Sequence, residues 1–329
     1  MTVHPLTAAL RSTALAVALL AGAQAQAATP ITFITNWYAQ AEHGGFYQAQ
    51  ADGLYARQGL DVTVQMGGPQ VNPVQLLAAG RAQCIISDDI GTMLAREHGV
   101  PLQMVATTFQ HDPSVIIAHA GVAKIEDLRS QTLLISSAAH SSWWPWAKAR
   151  LGFKDDQVRP YTFNIQPFMA DPQVAQQGYL TSEPFALQKA GAPFKVFALS
   201  EAGYPPYGNA IACDSQWLEK NPQQAAAFIQ ASMQGLKNYL ANPAGGNALI
   251  RQANPQMGED QLDYAVAKLR STGLVSGGDA QAGGIGVITP ARMQQTWQMA
   301  VDNHLIDAGK VPLEQMYTTR FIDQQPVLP

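Results

Sequence analysis

Apolar and polar positions along the chain switch repeatedly between a period of two and a helical period. Ile31 to Thr35 is a short apolar run of strand type. Leu60, Val62, Val64 and Met66 alternate with polar neighbours, the pattern of a half-buried strand. Cys84 to Ser87, Val105, Val115 to Ala118, Leu133 to Ile135 and Phe194 to Leu199 continue the series. Between them, Val74 to Ala79 reads as a helix closed by Gly80, and Asp88 or Asp89 caps a helix with Ile90, Met93 and Leu94 on one face. Strands separated by helices predict mostly parallel α/β units. The last third is helical. Asn221-Pro222 fits an N-cap and first helical position, Ile229, Met233, Leu236 and Leu240 recur at helical spacing, and Asn242-Pro243 stops the run. Leu262, Val266 and Leu269 make a second face, and Thr289-Pro290 opens a third helix bearing Met293, Trp297 and Val301.

The pattern repeats on a larger scale. Around Gly121 the chain changes character; the strand at Leu133 to Ile135 leads into the small-residue loop Ser136 to Ser142 and then Trp143-Trp144-Pro145-Trp146. This repeats the strand, loop and helix-start order found near the beginning, and predicts a second α/β lobe. Gly203 to Gly208, rich in turn formers, marks a crossing back. The expected division is residues 28–119 and 209–329 in lobe I and 120–208 in lobe II. A length of 329 residues agrees with two domains.

Residues 1–27 are read as a secretory signal peptide. Arg11 supplies a positive start, Ala14 to Ala21 a short apolar stretch, and Ala23 to Ala27 Ala-x-Ala cleavage sites. A formal net charge of -4 with no basic run carries no nucleic-acid footprint. Cys84 and Cys213 both lie in strand-like apolar runs, and buried free thiols are expected there over a bridge. The histidines show no ligand spacing, so neither a metal site nor a cofactor is expected. A Gly-x-Ser-x-Gly elbow and a phosphate-cradling Gly-x-x-x-x-Gly-Lys loop are absent from the sequence.

The candidate site begins at the end of the first strand, in Asn36 to Tyr47. Trp37 and Tyr38 offer flat faces for a ring, and His43 can hydrogen-bond a ring nitrogen or a carbonyl. Asn36 and Gly45 belong to the same stretch, and Gly67 and Gly68, after the second strand, would let backbone amides approach a ligand. Asp88, after the third strand, can accept from an exocyclic amine, while Gln110 offers both donor and acceptor. In the second lobe the candidates are Ser141 and Trp143 at a helix start, and Glu183, a carboxylate in an apolar turn that needs a partner. Tyr207, in the turn-rich crossing back, is a further candidate, and Glu42 is read as a solvated or capping carboxylate. No Lys or Arg follows Ser141 until Lys148, which weakens an anionic ligand.

Asn36-Trp37, Glu42-His43-Gly44-Gly45-Phe46-Tyr47, Gly53-Leu54-Tyr55, Gly59-Leu60-Asp61-Val62, Gly67-Gly68-Pro69, Leu76 to Gly80 and Ser182-Glu183-Pro184 together resemble periplasmic solute-binding proteins of ABC importers. The branch is the one shared with thiamine-pyrimidine precursor proteins. The resemblance implies a two-lobed, type II binding-protein fold with a hinge and an interlobe cleft, acting as a monomer. It implies an ABC permease with its ATPase as partner, and membrane contact only through that permease. The Glu-His-Gly-Gly piece leans toward a thiamine pyrimidine precursor as ligand. Riboflavin is the runner-up, with another heteroaromatic or a sulfonate further alternatives. Yeast-type pyrimidine synthases share the Gly-Gly region, but their clustered Cys motif has no counterpart here, and no enzymatic activity is expected.

Overall fold

The computed structural model describes residues 28–68, 71–323 and 325–329; the segment read as a signal peptide lies outside these. Two five-stranded sheets organise the chain. The first contains β1 (Thr29–Ile34), β2 (Leu60–Gln65), β3 (Cys84–Ser87), β4 (Leu102–Thr107) and β10 (Ala210–Asp214), in the order β2-β1-β3-β10-β4. The second contains β5 (Ser114–His119), β6 (Thr132–Ile135), β7 (Val158–Pro160), β8 (Val174–Tyr179) and β9 (Phe194–Ala198), in the order β7-β6-β8-β5-β9. The chain leaves the first sheet after β4, builds the second, and returns as β10.

Alternation explains how the first sheet buries two faces at once. Phe33, Cys84, Ile86, Ile211 and Cys213 point into one core, with Phe228, Ile229 and Leu236 of the Pro222–Ala241 helix. Ile34, Ile85, Ala212 and Met104 point into the other, with Ile90 and Met93 of the Asp89–Glu97 helix and Met293 and Ala300 of the Pro290–Asp302 helix. The helix starts at Asn221-Pro222 and Thr289-Pro290 fall where the sequence places them.

Three expectations are corrected. First, β1 is parallel to β2 and β3, but β10 runs antiparallel to β3 and β4, and β5 antiparallel to β8 and β9. A strand that returns from another sheet need not follow a βαβ crossover. Second, β5 belongs to the second sheet, so the expected lobe I boundary at residue 119 is too late. Its apolar run could not disclose which sheet it would join. Third, Cys84 and Cys213 form a disulfide. They stand directly opposite each other in the β3–β10 register, a pairing across 129 residues that local patterning does not reveal.

The two glycines of the Gly44–Ala51 helix serve packing. A Cβ on Gly45 would lie 2.4 Å from the Leu236 side chain, and one on Gly235 would lie 2.2 Å from the Gly45 carbonyl oxygen. Two helices thus approach backbone to backbone. Gly235→Ala is expected to cost about 2 kcal/mol or more, because the obstacle is main chain that cannot rotate away. Urea denaturation checks this; an unchanged midpoint would mean the helices separate freely.

Two crossings join the sheets, at residues 107–114 and 198–210. The Asp112 amide donates to the Pro206 carbonyl at 3.2 Å. Gly208 adopts φ +95°, and a Cβ there would meet the Asp112 Cα at 3.1 Å. Only glycine combines that dihedral with that proximity.

Candidate functional site

Between the two sheets lies a cleft of about 920 Å³. The first sheet contributes the residues that follow its parallel strands: Asn36, Trp37 and Tyr38 after β1, Met66 after β2, and Asp88 after β3. Loops at the carboxyl ends of parallel strands are where open α/β sheets present ligands. The crossings contribute Asp112, Ser114, Tyr204, Pro206, Gly208 and Asn209. The second sheet adds Ser136, Ser142, Trp143, Tyr161, Phe163, Gln177, Tyr179, Glu183 and Phe185, and Pro255 to Met257 with Gln261 complete the rim.

A hydrogen-bonded chain spans the cleft floor. The Tyr179 hydroxyl and the Asn36 amide both donate to Asn209 Oδ1, each at 3.3 Å. His43 Nε2 stands 3.0 Å from Asn36 Oδ1. That oxygen only accepts, so Nε2 carries the proton. Burial pushes the His43 pKa down to about 4, which keeps the imidazole neutral near pH 7.

The wall of the second lobe is tied together by Glu183. Its Oε1 accepts from the Tyr161 hydroxyl at 3.1 Å and its Oε2 from the Tyr179 amide at 2.7 Å. Burial raises the pKa of this carboxyl. Glu183 therefore lines the cleft while also fixing two aromatic neighbours. Asp88 caps its helix, accepting from the Gly91 amide at 2.6 Å, and Asp112 accepts from the Ser114 amide at 2.7 Å. Burial raises both acids, Asp112 to about 6, and the charge of Asp88 adds to the shift on Asp112. Among the described lining residues there is no Lys or Arg. The cleft thus offers aromatic faces, amides and reluctantly ionised carboxyls, a set suited to an uncharged polar ring system.

Of the residues singled out by sequence, Asn36, Trp37, Tyr38, His43, Asp88, Trp143 and Glu183 line the cleft. The others do not. Gly45 packs on Leu236. The Gly67 amide donates to the Trp37 carbonyl and to Thr35 Oγ1, both at 3.1 Å, so it braces the Trp37 loop instead of meeting a ligand. Gly68 abuts the Tyr38 ring. Gln110 is buried and donates to Thr107 Oγ1 at 3.1 Å, turned away from the gap. Ser141 is exposed outside the lining, and Ser142 takes its place. Tyr207 lies under the Arg292 guanidinium, 3.8 Å from the ring centre, and its hydroxyl accepts from the Thr289 amide at 2.8 Å. A strand end or a turn is visible in sequence, but the side chosen by each side chain is not. The residues sequence missed, Asp112, Asn209, Tyr161 and Phe163 among them, lie on crossings or after a three-residue strand and carry no local signature. Tyr204, in the turn-rich crossing at Gly203 to Gly208, also lines the cleft.

Glu42 is neither solvated nor a cap. It is 3% exposed, and Thr181 of the second lobe donates a hydrogen bond to its carboxyl. Burial raises its pKa above 4.5. The native state therefore holds the Glu42 proton more tightly than the unfolded chain does. The contribution of this contact is complete below about pH 4.5 and declines as pH rises through the folded-state value. Glu42→Gln should flatten the fall of stability as pH rises above about 4.5 in denaturant titrations. Identical slopes for both proteins would show that the carboxyl ionises without penalty.

The two lobes, the aromatic cleft and the strand-end loops define a protein of the periplasmic binding-protein fold. The same architecture is seen in the periplasmic aliphatic sulphonate binding protein SsuA from Escherichia coli, with a TM-score of 0.63 at 14% identity, covering 91% of this chain and 93% of that one. The family model described as NMT1/THI5 like matches residues 40–245, more than half of the chain, and the protein belongs to that family. Among its relatives is the riboflavin-binding protein RibY of Chloroflexus aurantiacus, 26% identical over 249 residues, 72% of this chain and 70% of that protein. Another is the formylaminopyrimidine-binding protein of Halalkalibacterium halodurans, 24% identical over 297 residues, 82% of this chain and 88% of that protein. Relatives in Saccharomyces cerevisiae are named 4-amino-5-hydroxymethyl-2-methylpyrimidine phosphate synthases.

Proposed function

We propose that this protein is the periplasmic solute receptor of an ABC importer and captures an uncharged, planar nitrogen heterocycle. The observation that carries this reading is the cleft itself: about 920 Å³, walled by aromatic rings, amides and carboxyls, with no Lys or Arg among the described lining residues. An alkanesulfonate would need a compensating positive charge, which the described lining does not offer.

Size orders the remaining ligands. Pockets for drug-sized molecules run from roughly 300 to 1,000 Å³, and this cleft is near the upper end. A flavin, with a multi-ring system and a hydroxyl-bearing tail, fills such a space better than one pyrimidine ring. Its ring suits Trp37 and Tyr38, and its tail suits Asp88, Asp112 and Asn209. Riboflavin is therefore placed ahead of the thiamine pyrimidine precursor favoured by the Glu-His-Gly-Gly piece. The pyrimidine reading keeps specific support from the formylaminopyrimidine-binding relative, which matches along more of the chain than RibY does. The Cys84–Cys213 bridge supports an oxidising compartment, as does the signal-like segment at residues 1–27. A receptor is preferred to a synthase because the cleft groups are tied to one another as a binding surface.

A thermal-shift screen of the mature protein against riboflavin, aminopyrimidines, nucleobases and alkanesulfonates tests the proposal. A flavin is expected to give the largest rise in melting temperature. A rise with sulfonates alone would refute it.

A further inference from the structure

The geometry points to Phe163 as the clasp that holds the two lobes together over a bound ring, so that it governs how fast ligand leaves more than which ligand is chosen. This rests on the cleft being the ligand site.

Phe163 has φ +58°, and among the described residues only His304 is another non-glycine with positive φ. For a bulky residue that conformation is strained, because Cβ crowds the following carbonyl. Core burial does not offset the cost. At 56% exposure Phe163 is the most exposed of the large apolar side chains described. What the dihedral does achieve is position. It sets the ring 5.1 Å from that of Trp37, which comes from the opposite lobe, and 5.1 Å from that of Tyr161. Tyr38 continues the row, 5.6 Å beyond Trp37. Tyr38, Trp37, Phe163 and Tyr161 thus form an aromatic strip from one lobe to the other, anchored on the far side by the Tyr161–Glu183 hydrogen bond.

All four residues line the cleft. A spacing of 5.1 Å between Trp37 and Phe163 leaves no room for a ring between them. A planar ligand held in the cleft would lie beside this pair, and the pair must part as the lobes open. Local strain held at a ligand clamp is where such strain is commonly found.

Two variants separate clasping from folding. Phe163→Ala removes the ring and keeps a Cβ at the strained dihedral; Phe163→Gly removes both. In stopped-flow release of riboflavin, both are expected to dissociate about tenfold faster than the parent, the scale of one lost aromatic pair. The order of affinities across flavins and pyrimidines should stay the same. Phe163→Gly should melt no lower than Phe163→Ala, since glycine adopts the dihedral freely. In the ligand-free protein, spin labels on cysteines at the exposed positions 61 and 150, one on each lobe, should report longer distances for Phe163→Ala than for the parent. Unchanged release and an unchanged distance distribution would overturn the assignment, as would a large fall in melting temperature with unchanged release. If the parent binds none of the panel, the proposed ligand class fails. The ligand-free distances still decide the clasp: longer ones support it and identical ones overturn it.

Discussion

Trp37→Ala is expected to weaken binding of the proposed ligand, riboflavin, by about 2 kcal/mol, roughly thirtyfold, in calorimetric titration, with the melting temperature of the free protein hardly moved. The reason is position. Trp37 follows β1 in a loop braced by the Gly67 amide, is only partly buried, and presents its ring to the cleft. A large indole held in place before binding gives contact area at little cost in conformational freedom, which is why tryptophan dominates many binding sites. Stacking adds about 1 kcal/mol beyond the area buried. The fold does not rest on this ring, because the core beneath it is built by Ile31, Phe33 and Phe46. Retained affinity in the alanine variant would remove Trp37 from the binding surface. A collapsed melting temperature would make it a structural residue instead.

Removing the disulfide is expected to have the larger effect on stability. The Cys84–Cys213 bridge closes a loop of 129 residues that contains β4 and the whole second sheet. Chain-entropy arguments give about 5 kcal/mol for a loop of this length, at the upper end of the roughly 2–5 kcal/mol found for native bridges in smaller domains. The double variant Cys84→Ala with Cys213→Ala avoids an odd thiol and leaves two small apolar groups facing each other in the β3–β10 register. Guanidinium denaturation should show a lower midpoint and, because the unfolded chain is no longer cross-linked, a steeper dependence on denaturant. An unchanged midpoint would mean that strand pairing alone carries the joint.

The fold was legible where period and punctuation agree. Leu60 to Met66 alternates cleanly, and Thr289-Pro290 announces its helix. β8 was not legible. Its sequence, Val174 to Tyr179, carries two adjacent glutamines, and Gln176 is nonetheless fully buried. Pairing between distant strands was also hidden, which is why the thiols of Cys84 and Cys213 looked free. The same limit acts on the cleft. Trp37, His43 and Glu183 sit in recognisable strand-end or turn contexts, and the structure brings them to one gap. Gln110 and Tyr207 sit in equally suggestive contexts yet turn toward Thr107 and Thr289. Asp112 and Asn209 reach the cleft only because two crossings lie side by side, a fact of tertiary packing that no window of sequence contains. The repeated strand, loop and helix-start order already implied two α/β lobes; the hinge and the interlobe cleft came from the resemblance to periplasmic solute-binding proteins.

The central claim is that the interlobe cleft selects an uncharged planar heterocycle. Its most direct test is calorimetric titration of the mature protein with riboflavin and, separately, with an alkanesulfonate. Saturable one-to-one heat with riboflavin and none with the sulfonate is the predicted result. Saturable sulfonate binding with riboflavin silent would contradict the account.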